Sequence, residues 1–187
     1  MRIITDLEFK TDTPTAVALG TFDGVHLGHR AVISAAVENA KANGLVSAVF
    51  TFSGLPKNAF LPEGKRICPL CSFEEKARLI EALGVDLLIS PEFTRELASM
   101  PPEDFVKDIL FGRLGARHIV CGFDHRFGFR GLGSTELLLK LCRGAGVGVT
   151  VIPPVMDNGE RVSSTSIRAL LENGRVSDAR RLLGHDI

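Results

Sequence analysis

A glycine-rich turn near the N-terminus organises this sequence, and it reads Gly20-Thr21-Phe22-Asp23-Gly24-Val25-His26-Leu27-Gly28-His29. A short apolar run at residues 15–20 leads into the turn, and helical apolar spacing begins at residue 28. A strand that turns through glycines into a helix collects free backbone N–H groups and the positive end of the helix dipole at one point. The turn therefore predicts a phosphate site, although it has neither the Walker A pattern nor the G-x-G-x-x-G spacing.

Two histidines replace the lysine of a Walker A loop. His26 and His29 are three residues apart, so on a first helical turn they face the same way. Gly28 between them is expected to let a phosphate approach the backbone closely. A lone histidine would usually be a surface or capping residue, and zinc would need a third ligand nearby. Two histidines among three glycines in so short a stretch favour an anion site.

A second anion-binding feature lies near the other end of the chain, in Arg161-Val162-Ser163-Ser164-Thr165-Ser166-Ile167-Arg168. Ser164 or Thr165 can cap the helix that begins there, and Arg168 can fork onto phosphate oxygens from its first turn. Taken alone, the hydroxyl-bearing residues would be an ordinary helix cap. Together with the histidine turn they predict a clamp, because both segments follow strands at the carboxyl edge of a parallel sheet.

Strand patterns alternate with helical patterns along most of the chain, which is typical of a parallel sheet with helices on both faces. We predict an α/β, Rossmann-like, doubly wound sheet of about five strands with two C-terminal helices. The predicted strands cover residues 15–20, 45–52, 86–90, 118–122 and 147–153. The predicted helices cover residues 28–43, 72–83, 102–111, 134–144, 165–173 and 177–183. Residues 53–69 are predicted to form a long loop, of the kind that is often functional.

The composition limits the classes of partner. The 187 residues include 22 basic and 22 acidic side chains, so no basic stripe for nucleic acid is expected. The longest apolar runs fall short of the roughly 20 residues of a membrane span. Residues 1–10 lack a signal-peptide core, and Cys68 and Cys71 are expected to be reduced thiols rather than zinc ligands. These features predict a cytoplasmic protein that binds neither membrane nor nucleic acid.

Both motifs resemble those of the HxGH nucleotidylyltransferase superfamily. More closely, they resemble the adenylyltransferase (FAD synthetase) module of bacterial bifunctional riboflavin kinase/FMN adenylyltransferases. That family carries a G-x-F-D-G-x-H-x-G-H turn, matched from Gly20, and an S-S-T-x-I-R element, matched from Ser163. The similarity continues through Glu75-Lys76 and Phe127-Gly128 as far as Gly184. It therefore covers nearly the whole chain.

The resemblance implies an FMN adenylyltransferase that uses ATP, FMN and Mg²⁺, with the metal bridging phosphates and no protein metal ligands assigned. The implied catalytic residues are His26, His29, Ser164, Thr165 and Arg168. The implied ATP-binding residues are Gly20, Thr21, Phe22, Asp23, Gly24, Gly28 and Ser163. The implied flavin-binding residues are Asp124, Phe127 and Pro56. Asp23 is expected to order the turn by bonding its own backbone, rather than to hold the metal.

The sequence departs from the family pattern at the flavin end. Ser53-Gly54-Leu55-Pro56 keeps only the last residue of an acidic-Pro-His-Pro element, and 122–128 keeps Asp124 and Phe127 of G-E-[DN]-F-x-F-G but changes two neighbours. The chain has 12 Phe and no Trp or Tyr, so stacking on a flavin is expected to fall to Phe127 or Phe60. Two alternatives stay open. One is a related transferase with another acceptor, such as phosphopantetheine or nicotinamide mononucleotide, and the other is a non-catalytic flavin or nucleotide binder.

One nucleotidylyltransferase domain is predicted for residues 1–187, without the riboflavin kinase module of the bifunctional family. The expected partners are the small molecules ATP and FMN. Two possibilities stay open: the chain is a stand-alone enzyme that receives FMN from a separate riboflavin kinase in the same pathway, or it is one part of a longer bifunctional protein.

Overall fold

A parallel sheet of six strands runs through the centre of the protein. The strands are β1 Arg2–Ile4, β2 Thr15–Leu19, β3 Val46–Phe50, β4 Leu87–Ile89, β5 Ala116–Gly122 and β6 Gly148–Ile152. Their order across the sheet is β1-β4-β3-β2-β5-β6, and every adjacent pair is parallel. The computed structural model describes residues 1–186. All five predicted strands are confirmed, and β1 is an additional edge strand.

Helices cover both faces of this sheet, as predicted. They are α1 Leu27–Asn43, α2 Phe73–Glu81, α3 Arg95–Ser99, α4 Pro102–Asp104, α5 Thr135–Ala145, α6 Ser164–Glu172 and α7 Val176–Leu183. A π-helical stretch, Phe105–Arg113, continues directly from α4. The helices α1 and α2 share an apolar core with one sheet face, and the π-helical stretch and α5 share a core with the other. The predicted α/β fold with two C-terminal helices is therefore confirmed.

The strand β2 shows why the sequence folds this way. All five of its residues are buried, as expected of a central parallel strand that is covered on both faces. Val17 and Leu19 belong to the core with the π-helical stretch, whereas Ala18 belongs to the core with α1. Alternate side chains of one strand thus enter two different cores.

The direction of winding reverses beside β2. The chain passes from β2 through β3 to β4 on one side of the sheet, and β5 and β6 lie on the other side. In open α/β sheets, ligands bind at the carboxyl ends of strands where the winding reverses. The glycine-rich turn follows β2 at this position, and Phe123 and Asp124 follow β5 there.

Three parts of the fold lie outside the predicted elements. The edge strand β1 has only three residues, two of them exposed, and so has no apolar pattern. The short helix α3 and an antiparallel hairpin, β7 Met156–Asp157 with β8 Glu160–Arg161, were likewise not predicted. The hairpin separates β6 from α6. Within residues 1–186, every helix is too short or too polar to cross a bilayer.

Candidate active site

The turn between β2 and α1 has an unusual backbone. Phe22 and Val25 have φ angles of +48° and +39°, which non-glycine residues rarely adopt and β-branched residues least of all. Both side chains are buried, with 1% and 0% of their surface exposed, so core packing holds the backbone in this conformation. Backbone strain of this kind, about 1–3 kcal/mol per residue, is concentrated at ligand sites.

Glycines in the turn leave room for neighbouring side chains. A Cβ on Gly20 would lie 2.8 Å from the Phe22 ring, and one on Gly24 would lie 3.0 Å from Leu70. A Cβ on Gly28 would lie 3.1 Å from Cε1 of His26. The absence of a side chain at Gly28 therefore leaves room for the ring of His26, and the close approach of a phosphate to the Gly28 backbone stays a prediction.

His26 and His29 stack on each other at the start of α1. Their ring centroids are 3.6 Å apart, and their planes differ by 17°. His26 is the N-cap, and its Nδ1 accepts the backbone N–H of His29 at 3.3 Å. Since Nδ1 is the acceptor, a neutral His26 carries its proton on Nε2. The edge of the Phe22 ring packs against His29, with centroids 5.3 Å apart.

Burial keeps both imidazoles neutral near pH 7. It lowers the pKa of His26 to about 4. It also lowers the pKa of His29 well below the ordinary value, and the neighbouring His26 and Lys76 lower that pKa further. Nδ1 of His29 is buried and has no hydrogen-bond partner among residues 1–186. A buried nitrogen without a partner is costly unless a ligand or water satisfies it, so this atom is a candidate ligand contact.

Asp23 ties the turn to two distant segments. Its Oδ1 accepts the N–H of Leu70 at 2.9 Å, and its Oδ2 forms an ion pair with the guanidinium of Arg168. Its backbone oxygen accepts the hydroxyl of Ser164 at 3.1 Å. Asp23 therefore orders the turn, as we expected, but it does so through the long loop and α6 instead of through its own backbone.

The N-terminus of α6 is capped by Ser163 and not by Ser164 or Thr165. The hydroxyl of Ser163 accepts the N–H of Ser166, and the Ser166 hydroxyl accepts the N–H of Ser163 in return. This reciprocal pair leaves Ser164 to bond the turn at Asp23, and it leaves Thr165 exposed on the first turn of the helix. The predicted cap, Ser164 or Thr165, therefore lies one or two residues after the observed one.

Arg168 is fixed beside the turn by three contacts. In addition to pairing with Asp23, it donates from Nε to the Cys68 oxygen at 3.1 Å and from Nη1 to the Ser164 oxygen at 3.3 Å. A guanidinium has five N–H donors, so two remain for a ligand. The guanidinium of Arg168, which we expected to bind phosphate, therefore uses part of its donors within the protein.

A second ion pair lies beside the histidines. Arg161 on β8 pairs with Asp124, and its guanidinium lies 4.7 Å from the centre of the Phe123 ring. The charge of Arg161 lowers the pKa of His26, and that of Asp124 raises it, although burial dominates. The sequence motif that contains Arg161 predicts no role for this residue. The hairpin brings it to the site, which could not be predicted from the sequence.

Lys76 on α2 is a site residue that sequence reasoning missed. It is 6% exposed, and its Nζ donates to the backbone oxygen of Phe52 at 2.6 Å. Its charge lowers the pKa of His29, which places it close to the histidine pair. The pair Glu75-Lys76 belongs to the family resemblance, but no pattern around it indicates a buried lysine.

The three predicted flavin residues lie in different environments. Asp124 is exposed and paired with Arg161. Phe127 is 7% exposed and packs in the core near Phe105, with ring centroids 5.8 Å apart. Pro56 begins a short 3₁₀ turn in the long loop and is half-buried. The structure therefore gives Phe127 a core position rather than an open stacking face.

Phe127 belongs to a continuous series of aromatic rings with neighbouring centroids 4.9 to 6.1 Å apart. The series runs Phe60, Phe93, Phe52, Phe50, Phe105, Phe127 and His125. The first ring, in the long loop, is 54% exposed, whereas Phe50 and Phe105 are buried. The carboxyl edge of the sheet thus carries an aromatic, apolar side in addition to the histidine pair.

Comparison with known proteins agrees with this geometry. The sequence pattern described as FAD synthetase matches residues 8–166. A bifunctional riboflavin kinase/FMN adenylyltransferase of Listeria monocytogenes is 37% identical over 175 residues, which is 94% of this chain and 55% of that protein. An FAD synthetase of the same organism is 36% identical over 94% of this chain and 71% of its own length.

A solved structure from Streptococcus pneumoniae, described as a macrolide-efflux protein, has the same fold. Its TM-score is 0.87 at 30% sequence identity, over 98% of this chain and 60% of that one. The chain spans about half the length of the bifunctional relatives that it matches. Because the family pattern extends from residue 8 to residue 166, and so includes the histidine turn and the start of α6, the chain belongs to the FAD synthetase family.

Proposed function

We propose that this protein is an FMN adenylyltransferase, which converts ATP and FMN into FAD and pyrophosphate. One observation carries the proposal. Two segments that we predict to bind anions, 145 residues apart in the chain, are joined through Asp23 and Arg168 at the carboxyl end of β2. Membership of the FAD synthetase family supports the choice of reaction.

The reaction is an in-line displacement at the α-phosphorus of ATP. A phosphate oxygen of FMN forms the new P–O bond, the bond between the α-phosphorus and the bridging oxygen breaks, and pyrophosphate leaves with the electron pair. No covalent enzyme intermediate is required. The protein then acts by positioning the two phosphates and by stabilising the charge that develops between them.

The histidine pair supplies neutral donors at the α-phosphate. A neutral His26 has its proton on Nε2, because Nδ1 already accepts the His29 N–H. His29 can carry its proton on Nδ1, the buried atom without a partner. Both rings would donate hydrogen bonds to phosphate oxygens, and these bonds would strengthen as negative charge grows in the transition state. Gly20, Thr21, Phe22, Gly24 and Gly28 would act mainly by shaping the turn that holds these rings.

The start of α6 would hold the departing pyrophosphate. Thr165 is exposed on its first turn, Ser164 lies against the glycine-rich turn, and Arg168 has two N–H donors left. Ser163 would contribute by capping the helix. The N–H groups of the first turn that the cap does not use would stay free for the ligand. A pyrophosphate at this position would face the positive end of the helix dipole.

Magnesium would enter on the nucleotide. In the described part of the chain, no group of three or more His, Cys, Asp or Glu side chains could hold a metal ion. Both carboxylate oxygens of Asp23 are already engaged. Mg²⁺ keeps several waters and commonly binds substrate phosphates, so the residues present suit a metal held by ATP. Its chemistry would be to neutralise phosphate charge.

The flavin ring would lie on the aromatic side of the crevice. Phe60 and Phe123 are exposed, whereas Phe127 would support that side from the core. Asp124 would lie at the junction between the flavin and the histidine pair, since its charge influences His26. Pro56 would form part of the loop wall. These positions are consistent with FMN as the acceptor despite the changed residues around them.

We also propose that residues 1–187 act as a single nucleotidylyltransferase domain in the cytoplasm, and that FMN comes from a riboflavin kinase site other than the one described above. The described residues form one α/β unit, and the proposed anion site lies at the carboxyl end of β2. That site would release the β- and γ-phosphates together, whereas a kinase must aim the γ-phosphate at a hydroxyl.

Incubation with Mg-ATP and a panel of acceptors tests the function. The panel contains FMN, riboflavin, nicotinamide mononucleotide and phosphopantetheine, and chromatography and pyrophosphate release are followed together. FMN should give FAD and an equal amount of pyrophosphate, and riboflavin should give neither FMN nor FAD. Product from another acceptor would reassign the transferase. ATP and FMN binding without turnover would reveal a non-catalytic binder.

A further inference from the structure

Lys76 is a buried cation with unused hydrogen-bonding capacity. It is 6% exposed, and its one described hydrogen bond goes to the Phe52 oxygen at 2.6 Å. An ammonium has three N–H donors, so two remain. Nζ of Lys76 lies 5.9 Å from the centre of the Phe73 ring. Among residues 1–186 this lysine takes part in no ion pair, although burying a charge without a counter-charge is costly.

The charges around Lys76 leave an excess of positive charge. Burial has the largest effect on the pKa of Lys76 and lowers it, whereas the neighbouring Cys71 and Asp23 raise it by smaller amounts. Arg168 already neutralises Asp23 directly. The nearby Cys71 thiol stays neutral near pH 7, because burial raises its pKa above the usual value. Lys76 and Arg168 therefore share the single negative charge of Asp23, and these three side chains together lack one negative charge.

Lys76 faces a cavity that could hold such a charge. The cavity measures about 100 Å³, and its walls include Asp23, Ser53, Gly54 and Ser72. It lies between the glycine-rich turn, the two ends of the long loop and the start of α2. Sites for whole small molecules are usually larger than roughly 300 Å³. The cavity therefore suits one charged group of a ligand rather than a complete ligand.

We propose that Lys76 binds the phosphate group of the acceptor, which is the attacking group of the reaction. The proposal rests on the proposed function. ATP phosphates have other candidate partners, at the starts of α1 and α6. The cavity instead connects the turn to residues 53–55, which lie at the flavin end of the family resemblance. A phosphate seated there would contact Lys76, which is close enough to His29 for its charge to lower the pKa of that histidine.

This position has a chemical purpose. The attacking phosphate and the ATP phosphates are both anions, so they repel each other as they approach. An ammonium in a site of low dielectric reduces that repulsion more than it would in water. It also gives the protein a means of distinguishing FMN from riboflavin, which has the same ring system and no phosphate. Lys76 would thus determine specificity for a phosphorylated acceptor.

Flavin fluorescence tests the proposal without turnover. FMN and riboflavin are titrated into the full 187-residue chain, its Lys76→Met and Lys76→Arg variants, and a control, Lys140→Met, which alters an exposed lysine on α5. Lys76→Met should weaken FMN binding roughly 10- to 100-fold, the range for losing a charged hydrogen bond, and leave riboflavin binding unchanged. Lys76→Arg should keep most of the preference for FMN. Lys140→Met should behave as wild type.

Calorimetry with a non-hydrolysable ATP analogue completes the experiment. ATP analogue binding should be the same in Lys76→Met and wild type, and thermal unfolding shows whether the variant is folded. Equal loss of FMN and riboflavin binding, or loss of ATP analogue binding instead, would overturn the proposal. Should the variant not fold, inorganic phosphate is titrated against wild type. It should compete with FMN and not with riboflavin, and equal or absent competition would also overturn the proposal.

The two proposals fail in different ways. A wild-type protein that makes FAD, while Lys76→Met still prefers FMN over riboflavin, would contradict only the role of Lys76. A wild-type protein that neither binds FMN nor converts it would contradict the proposed function and, with it, the acceptor site.

Discussion

Asp23 and Arg168, 145 residues apart in the chain, form an ion pair at the centre of the candidate site. The Asp23 side chain is 5% exposed and that of Arg168 is 22% exposed. The carboxylate also bonds Leu70, and the guanidinium also bonds Cys68. The pair therefore connects three segments that are far apart in sequence, namely the glycine-rich turn, the long loop and α6. The site is complete only when all three are in place.

Removing the charge of Asp23 should weaken this connection. Asp23→Asn keeps the shape of the side chain but leaves Arg168 without its counter-charge. We expect the free energy of unfolding to fall by about 1.5–3 kcal/mol, the range for hydrogen bonds to charged groups. Urea denaturation measures the change. Asp12→Asn, at an exposed position, is the control and should stay within about 0.5 kcal/mol of wild type; equal effects would mean that the pair adds little.

Arg168→Lys should affect catalysis although the charge is kept. A lysine can pair with Asp23, but it cannot also reach the Cys68 and Ser164 oxygens and offer two further donors to a ligand. We expect kcat/KM for ATP to fall roughly 10- to 100-fold, on the scale of one or two lost charged hydrogen bonds. Steady-state kinetics at varied ATP and saturating FMN measure this. Unchanged kinetics would show that Arg168 has a purely structural role.

His29→Ala should lower turnover by roughly 100- to 1,000-fold, the scale for losing one preorganised donor to the transition state. The fold should persist, because alanine is a better helix former than histidine and the substituted position lies in the first turn of α1. Single-turnover kinetics measure the chemical step, and thermal unfolding monitors the fold. Wild-type turnover in the folded variant would remove His29 from the mechanism.

The main features of the fold, and the two segments that meet at Asp23 and Arg168, could be predicted from the sequence because each has a local pattern. The strand β2 is an apolar run that is buried on both faces, and the turn after it carries glycines and histidines at fixed spacing. The partners of Asp23 could not be predicted, since they come from segments that only the tertiary fold brings together. The burial of Lys76 has the same cause, because a lysine in an amphipathic helix is normally solvated.

Gly28→Ala separates stability from activity. A Cβ at this position would lie 3.1 Å from Cε1 of His26, so the ring must shift and the stacked pair must separate slightly. Since alanine favours a helix over glycine by roughly 0.5–1 kcal/mol, we expect little loss of stability but a turnover reduced roughly 10-fold or more.

Gly144→Ala is the matched control for Gly28→Ala, because it lies in α5 with no atom within 4 Å of the added Cβ. It should give the same helical benefit without a change in turnover. Thermal unfolding and FAD formation are measured for both variants. A Gly28→Ala variant with normal turnover would show that the exact stacking of the two histidines is unimportant for the reaction.

The buried histidines should make the protein less stable in mild acid. Burial lowers the pKa of both His26 and His125 to about 4, whereas an unfolded histidine has a pKa of about 6.5. Between these two values the unfolded chain binds protons that the folded chain does not. The contribution of these two histidines to the free energy of unfolding is therefore fully present above about pH 6.5. It is lost as the pH falls towards 4, by about 1.4 kcal/mol per pH unit for each histidine.

His125→Phe isolates one of these protons. Nε2 of His125 is buried without a partner among the described residues, and the family pattern has Phe at this position. We expect the variant to be at least as stable as wild type at pH 7.5, because it no longer buries an unsatisfied nitrogen. Between pH 6.5 and 5 its loss of stability should be smaller than that of wild type by about 1.4 kcal/mol per pH unit. Urea denaturation at half-unit intervals measures both slopes, and parallel curves would mean that His125 is protonated equally in the folded and unfolded states.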